Sequence, residues 1–306
     1  MNIGLMLGAT PNPNASINYY QSVATDCEAR GFSSLWMAHI RSHDAVMAMA
    51  LAAAATTTLE VGTAVTPIQP RHPMALAQQA LTAQALADGR FTLGIGLSHK
   101  VVIESMLGLK YDKLAKTMRE YLTALNPLLA GEEAAVEGDI YKVHIGLDVP
   151  DAPKPVPVVV AALGPMMLDV AGRLANGTCL WMTGPNTIAS HIVPKISAAA
   201  DQAERASPRV VAGFPIVLSN NENAARRQVG EALKVYGQLP SYRAMLDREG
   251  VDGPADLAIV GGENVVAERL QAVAEAGATD VIAVLVDTDA GTAAGTLDFL
   301  TEYNRG

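Results

Sequence analysis

The chain has 306 residues, half of them hydrophobic and 17% charged, with a net charge of −9. That balance fills one large core or two ordinary ones and excludes a disordered chain. It has no Lys/Arg-rich run for nucleic acid or an anionic membrane, and its longest wholly apolar run, 45–55, is too short for a membrane span.

The first residues lack a positive n-region and break at Gly8, so 2–7 reads as a strand rather than a secretion signal. A helix follows over 16–30, closed by Gly31. Residues 33–38 form the second strand, 44–57 a helix with Asp44 as N-cap, and 61–65 the third strand. The helix 74–87 leads to the fourth strand, 91–97, and a longer helix covers 111–130. Residues 131–157, with Pro150, Pro153, Pro155 and Pro157, read as an inserted hairpin and stiff connector. Strand and helix then alternate through 156–162, 166–175, 177–182, 187–205, 209–218 and 222–236. Residues 237–261 are irregular, with helical pieces at 242–248 and 254–259. A helix over 264–276, a strand over 280–286 and a helix over 292–303 complete the series. Eight strand-helix repeats in this length predict a single-domain α/β chain, a (β/α)8 TIM barrel over 1–306 with insertions after strands four and seven.

In such a barrel the carboxyl ends of the strands carry the chemistry. His39 ends strand two and reads as a proton donor or hydrogen-bond anchor. His43, four residues on, would make metal spacing only on a continuous helix, and no companion ligand stands at strand one, so no metal site is expected. Gly94-Ile95-Gly96 fails the dinucleotide fingerprint, since His99 occupies the third glycine's place. Its polar exit, Ser98-His99-Lys100, points instead to a ligand. Small residues at Ala64-Val65-Thr66, Ala161-Ala162-Leu163-Gly164 and Met182-Thr183-Gly184 suit a flat cofactor with an anionic tail. Tyr236 to Arg243 reads as a lid or as surface covering, and Arg71 before Pro73 as an anion contact or a surface group. Cys27 and Cys179 have no metal or disulfide spacing and fit a reducing compartment, the cytosol.

The motifs GFSSLWMAH (31–39), TLEVGTAV (58–65), RHP (71–73), ADGRFTLGIG (87–96), VPVVVAALGP (156–165) and ANGTCLWMTG (175–184) together resemble the bacterial luciferase-like superfamily, and more closely its branch dependent on the deazaflavin coenzyme F420. The resemblance spans nearly the whole chain. It implies that His39 lies beside the reacting ring carbon, with His99 a second candidate proton donor. It also implies a cis Ala64-Val65 peptide beneath the ring, with Thr66 following. Gly96, Leu97 and Ser98 approach the ring edge, Ala162, Leu163 and Gly164 the phosphate or tail, and Met182, Thr183 and Gly184 the strand-six side. Lys100, Arg71 or Lys110 would meet the anionic tail. A homodimer and a small-molecule substrate are expected on the same ground. Where several relatives carry an acid before the strand-two histidine, Ala38 stands here, and Leu97-Ser98-His99-Lys100 lacks the carboxylate that some use after strand four. Reduction of an activated C=C or related electron-poor bond is therefore expected over alcohol oxidation. A flavin mononucleotide monooxygenase, and more remotely a metal-dependent barrel hydrolase, are the competing readings.

Overall fold

The computed structural model describes residues 1–9, 12 and 15–305. Eight parallel strands close into a barrel: β1 (Asn2–Leu7), β2 (Ser34–Met37), β3 (Glu60–Thr63), β4 (Phe91–Gly96), β5 (Val158–Val160), β6 (Gly177–Trp181), β7 (Arg209–Leu218) and β8 (Asp280–Leu285). Each pairs with its sequence neighbour, and β8 returns to β1 with Asn2 opposite Asp280 and Leu5 opposite Ala283. Strands β2 and β4 are buried along their whole length because both faces are covered. Leu35, Met37, Phe91, Leu93 and Ile95 face the helices, against residues such as Met49, Ala52, Leu76 and Ala80. The alanines of the helix Ala45–Ala53 let its axis lie close to the sheet.

The interior is packed in layers. At the amino-terminal end the Arg209 guanidinium donates to both oxygens of Glu60 at 2.6 and 2.9 Å and to both of Asp280 at 2.8 and 2.7 Å. Thr92 donates to Glu60 at 2.7 Å, and the guanidinium stacks 5.4 Å from the Trp36 ring centroid. Trp36 fills the next layer, and only glycine fits beside it: a Cβ on Gly62 would stand 2.6 Å from the indole.

Several predicted boundaries shift. The third strand ends at Thr63 rather than Val65, and Thr66–Pro67 resumes pairing, with Thr66 opposite Ile95 of β4. The helix expected to reach residue 57 stops at Ala53, where the Glu28 carboxylate accepts the N–H groups of Thr57, Thr58 and Leu59. A π-helical stretch, Val101–Met106, was not anticipated. The expected hairpin is present, Ala134–Glu137 against Lys142–Ile145. In 237–261 the helix runs Pro240–Glu249 and a single turn Pro254–Leu257. Ile259 is not helical: Ile259–Gly261 is a short strand paired with the end of β7, its β-branched residues buried.

Candidate active site

At the carboxyl end of the barrel the inward positions of β2 to β5 and their exits are small: Ala38, Ala64, Gly96 and Ala161. Close approach demands this, since a Cβ on Gly96 would stand 2.7 Å from the Val65 side chain and 3.2 Å from the Ala161 Cβ. Thr63 fixes the edge by donating its hydroxyl to the Gly94 carbonyl at 2.7 Å and accepting the Gly94 N–H at 2.9 Å. The Ala64-Val65 peptide is cis, as the sequence led us to expect. The result is an apolar floor of small residues beside Trp36.

His39 stands at the rim of this floor with 18% of its side chain exposed. Its Nδ1 accepts the Ala45 N–H at 3.1 Å, and its Nε2 faces the Arg71 guanidinium at 3.1 Å. Arg71 in turn donates to Asp44 at 2.8 Å. Both ring nitrogens thus confront donors, an environment hostile to imidazolium. Burial first, then Arg71, push the ring below the usual histidine range, only partly offset by Asp44.

Beyond β4, Ser98 adopts φ 56, a left-handed conformation few residues with a side chain take. Its carbonyl accepts the Tyr111 hydroxyl at 3.0 Å, and the Leu97 carbonyl accepts Gln69 at 2.7 Å. His99 turns into the mouth, where burial lowers its pKa. Lys100 turns out: its side chain is 70% exposed and its ammonium lies 3.7 Å from Glu104. Lys110 is exposed too.

The β5 and β6 exits differ from each other. Gly164 precedes the helix Pro165–Leu174, whose amino terminus has no side-chain cap. Ala162 is buried among the helices, its carbonyl 3.4 Å from the Thr178 hydroxyl, and the Leu163 carbonyl accepts from His191 Nε2 at 2.8 Å. At β6, Met182 takes φ 51 with its side chain buried, and Thr183 is buried beside it. After Gly184 the N–H groups of Asn186 and Thr187 are already held by Glu249, at 3.1 and 2.7 Å. A side chain on Gly184 would collide with that carboxylate, its Cβ 2.2 Å from the carboxyl carbon. Of these two exits, the one at β5 leaves its helix start without a side-chain acceptor.

An arc of rings closes the open side. His99 and Tyr242 have centroids 5.8 Å apart, Tyr242 and Tyr236 5.2 Å, and Tyr236 and Trp181 6.0 Å. The arc runs from the β4 exit to the β6 exit. Arg243 takes no part, being bonded to Asp247 and to the carbonyls of Val251 and Asp252.

A family model described as luciferase-like monooxygenase matches residues 1–280. The chain belongs to the luciferase-like monooxygenase family. It is 26% identical over 253 residues to the 5,10-methylenetetrahydromethanopterin reductase of Methanolobus tindarius, a match covering 82% of this chain and 76% of that one. It is 27% identical over 217 residues to the F420-dependent glucose-6-phosphate dehydrogenase of Kineococcus radiotolerans, covering 66% and 64%. The solved structure of the coenzyme F420 dependent tetrahydromethanopterin reductase from Methanopyrus kandleri superposes with a TM-score of 0.81 at 21% identity, covering 98% and 97% of the two chains.

In this luciferase-like barrel the sequence-predicted residues His39, Ala64, Gly96, Ser98, His99 and Gly164 converge on one mouth, whereas Lys100 lies outside it. Asp44 caps its helix as expected and in addition pairs with Arg71, whereas Glu249 and Tyr111 were missed. Glu249 had a readable sign, since an acid in the last turn of a helix opposes the dipole unless a partner holds it. Among the described residues no group of three or more His, Cys, Asp or Glu side chains is placed to hold a metal ion, and no helix is long and apolar enough to cross a membrane.

Proposed function

We propose that this chain passes a hydride between coenzyme F420 and a small organic acceptor, reducing an activated C=C or related electron-poor bond. The observation that carries the reading is the floor of Ala38, Ala64, Gly96 and Ala161, which is shaped for a flat ring system. Two relatives named for F420 add weight to the choice of coenzyme.

The protein fits such a group. The Thr66 hydroxyl and the Trp181 indole nitrogen are buried without a partner among the described residues, and buried polar atoms ordinarily have one. Thr66, Ser98 and Leu97 would meet the ring edge, and the uncapped helix start at Gly164 would take a phosphate. Lys195 and Arg248, whose charges bear on His191 beside Leu163, suit the anionic tail better than Lys100 or the paired Arg71.

When bound, the deazaflavin supplies a hydride from one ring carbon. The chain's part is to hold the acceptor over the floor, exclude water and settle the charge that develops. His39, ringed by donors, is a poor acid and a poor base at neutral pH, so it positions rather than exchanges protons. No carboxylate stands at position 38 or directly beyond β4, and Asp44 only partly offsets burial and Arg71, which favours reduction over alcohol oxidation. A homodimer in the cytosol completes this reading, the dimer being open to light scattering.

Fluorescence titration of the protein with F420 and with flavin mononucleotide at equal ionic strength tests the reading. Deazaflavin should bind in the micromolar range or tighter, and reduced F420 should then be consumed by conjugated enones. Tighter binding of flavin mononucleotide would transfer the chain to the monooxygenase reading.

A further inference from the structure

Reduction of a conjugated carbonyl needs a proton as well as a hydride, and His39 is badly placed to give one. We propose that Tyr242 is a catalytic residue, donating a hydrogen bond and then its proton to the carbonyl oxygen of a neutral, conjugated acceptor. The inference rests on the hydride-transfer reading above.

Four observations support it. Tyr242 is half-buried in the ring arc, between His99 at the β4 exit and Tyr236, which leads to Trp181 at the β6 exit. Among the described residues no hydrogen bond to its hydroxyl is found. Tyr236, Cys179 and Tyr111 lie near it, and Cys179 belongs to the interior of the barrel. Burial above all holds the proton on the phenol at neutral pH. The residue is also fixed in place. Its helix, Pro240–Glu249, is fastened at one end by Glu249 on the Asn186 and Thr187 N–H groups, and Arg243 ties the first turn to the carbonyls of Val251 and Asp252. Tyr236 is the weaker candidate, since its ring packs between Trp181 and Tyr242 rather than against the β4 exit.

The step balances. A hydride from the reduced deazaflavin forms a C–H bond at the β-carbon, oxidising the coenzyme by two electrons, while the C=C pair moves to the carbonyl oxygen. The Tyr242 O–H bond breaks as the new O–H bond forms, giving an enol and a phenolate. Water returns a proton to the phenolate, and the enol becomes the saturated ketone. The rings flanking the phenol, with no free cation among them, favour neutral acceptors over phosphorylated or carboxylated ones.

A conjugated ketone chromophore, 4-dimethylaminochalcone, reads the hydrogen bond without turnover, because its absorption moves to the red when its carbonyl accepts one. With the wild-type protein, with and without oxidised F420, we expect binding and a red shift. Tyr242→Phe should bind it within about threefold, the ring being kept, but lose the shift. With reduced F420 and an enone, Tyr242→Phe should lose about 10²-fold or more in kcat, with unchanged cofactor affinity and melting temperature. The same red shift in Tyr242→Phe as in wild type, or no binding by the wild type, overturns the proposal. Failure of F420 to bind would instead sink the coenzyme reading, leaving the chalcone result to stand by itself.

Discussion

The guanidinium of Arg71 stands 3.1 Å from His39 Nε2, while the opposite nitrogen of that ring accepts the Ala45 N–H. A histidine so placed works by where it sits. His39→Asn, whose amide oxygen can take the Ala45 N–H, should keep turnover within about tenfold. His39→Ala should lose about 10²-fold, the scale of a misplaced group, with stability within about 1–2 kcal/mol of wild type. Turnover and melting temperature measured on one preparation decide it. Equal losses in both variants would return the acid role to His39.

His39, His99 and His191 all sit below the usual histidine value of 6.5, in each case chiefly through burial. As pH falls through about 6.5 the unfolded chain takes up protons that the folded chain resists, so stability must drop and level off only below the folded values. Melting temperature followed from pH 8 to 5 should therefore decline from about 6.5 downward, and His99→Asn should flatten the curve.

At lower pH another group takes over. Glu28 accepts the N–H groups of Thr57, Thr58 and Leu59 and the Thr58 hydroxyl, and these bonds, that of Thr58 first, bring its carboxyl down to about 2. Its contribution is complete above the ordinary 4.5 and fades as pH falls toward 2. Glu28→Ala should destabilise by about 1–3 kcal/mol at pH 7 by stripping those donors of their acceptor, and by little near pH 2. Urea unfolding at the two pH values gives the comparison.

Arg209 joins Glu60 and Asp280 at the end of the barrel opposite the mouth. Arg209→Ala leaves the buried Asp280 carboxylate unpaired and should cost about 3–5 kcal/mol. F420 affinity per folded molecule should be unchanged, which a titration below the melting range would show. A parallel loss of affinity would mean that the two ends are coupled.

Cys27 and Cys179 are buried, which raises both thiols to about 12. In the native protein neither should react with iodoacetamide at pH 8 on the time scale of free thiols, and both should react in urea. Mass spectrometry of the two digests reads this directly.

Strand order was legible because alternating apolar runs and helical repeats are local, and closure followed from their number. The floor was legible for the same reason: Ala64 and Ala161 follow their strands directly and Gly96 ends its own, so their positions needed no long-range information. What the sequence hid is contact between distant segments. Nothing local pairs Arg71 with Asp44, or Arg209 with Glu60 across 149 positions. Lys100 misled for a related reason, since charge after a strand suggests a tail contact, yet the π-helical turn that begins at Val101 rotates it to solvent. The strand Ile259–Gly261 escaped because so short a run pairs only where the long β7 offers its free end.

The ring-bearing helix Pro240–Glu249 packs Met245 and Leu246 onto the barrel, but its polar ties lie mostly within its own segment: Pro240 starts it, Gly250 ends it at φ 81, and Arg243 bonds to residues 247, 251 and 252. Glu249 is its main polar fastening to the barrel, and it grips backbone N–H groups, which every sequence provides. Such a piece is an exchangeable cassette. Related barrels can swap or rewrite it, changing which molecules are admitted, while the floor, the strands and the charge cluster at the far end stay as they are.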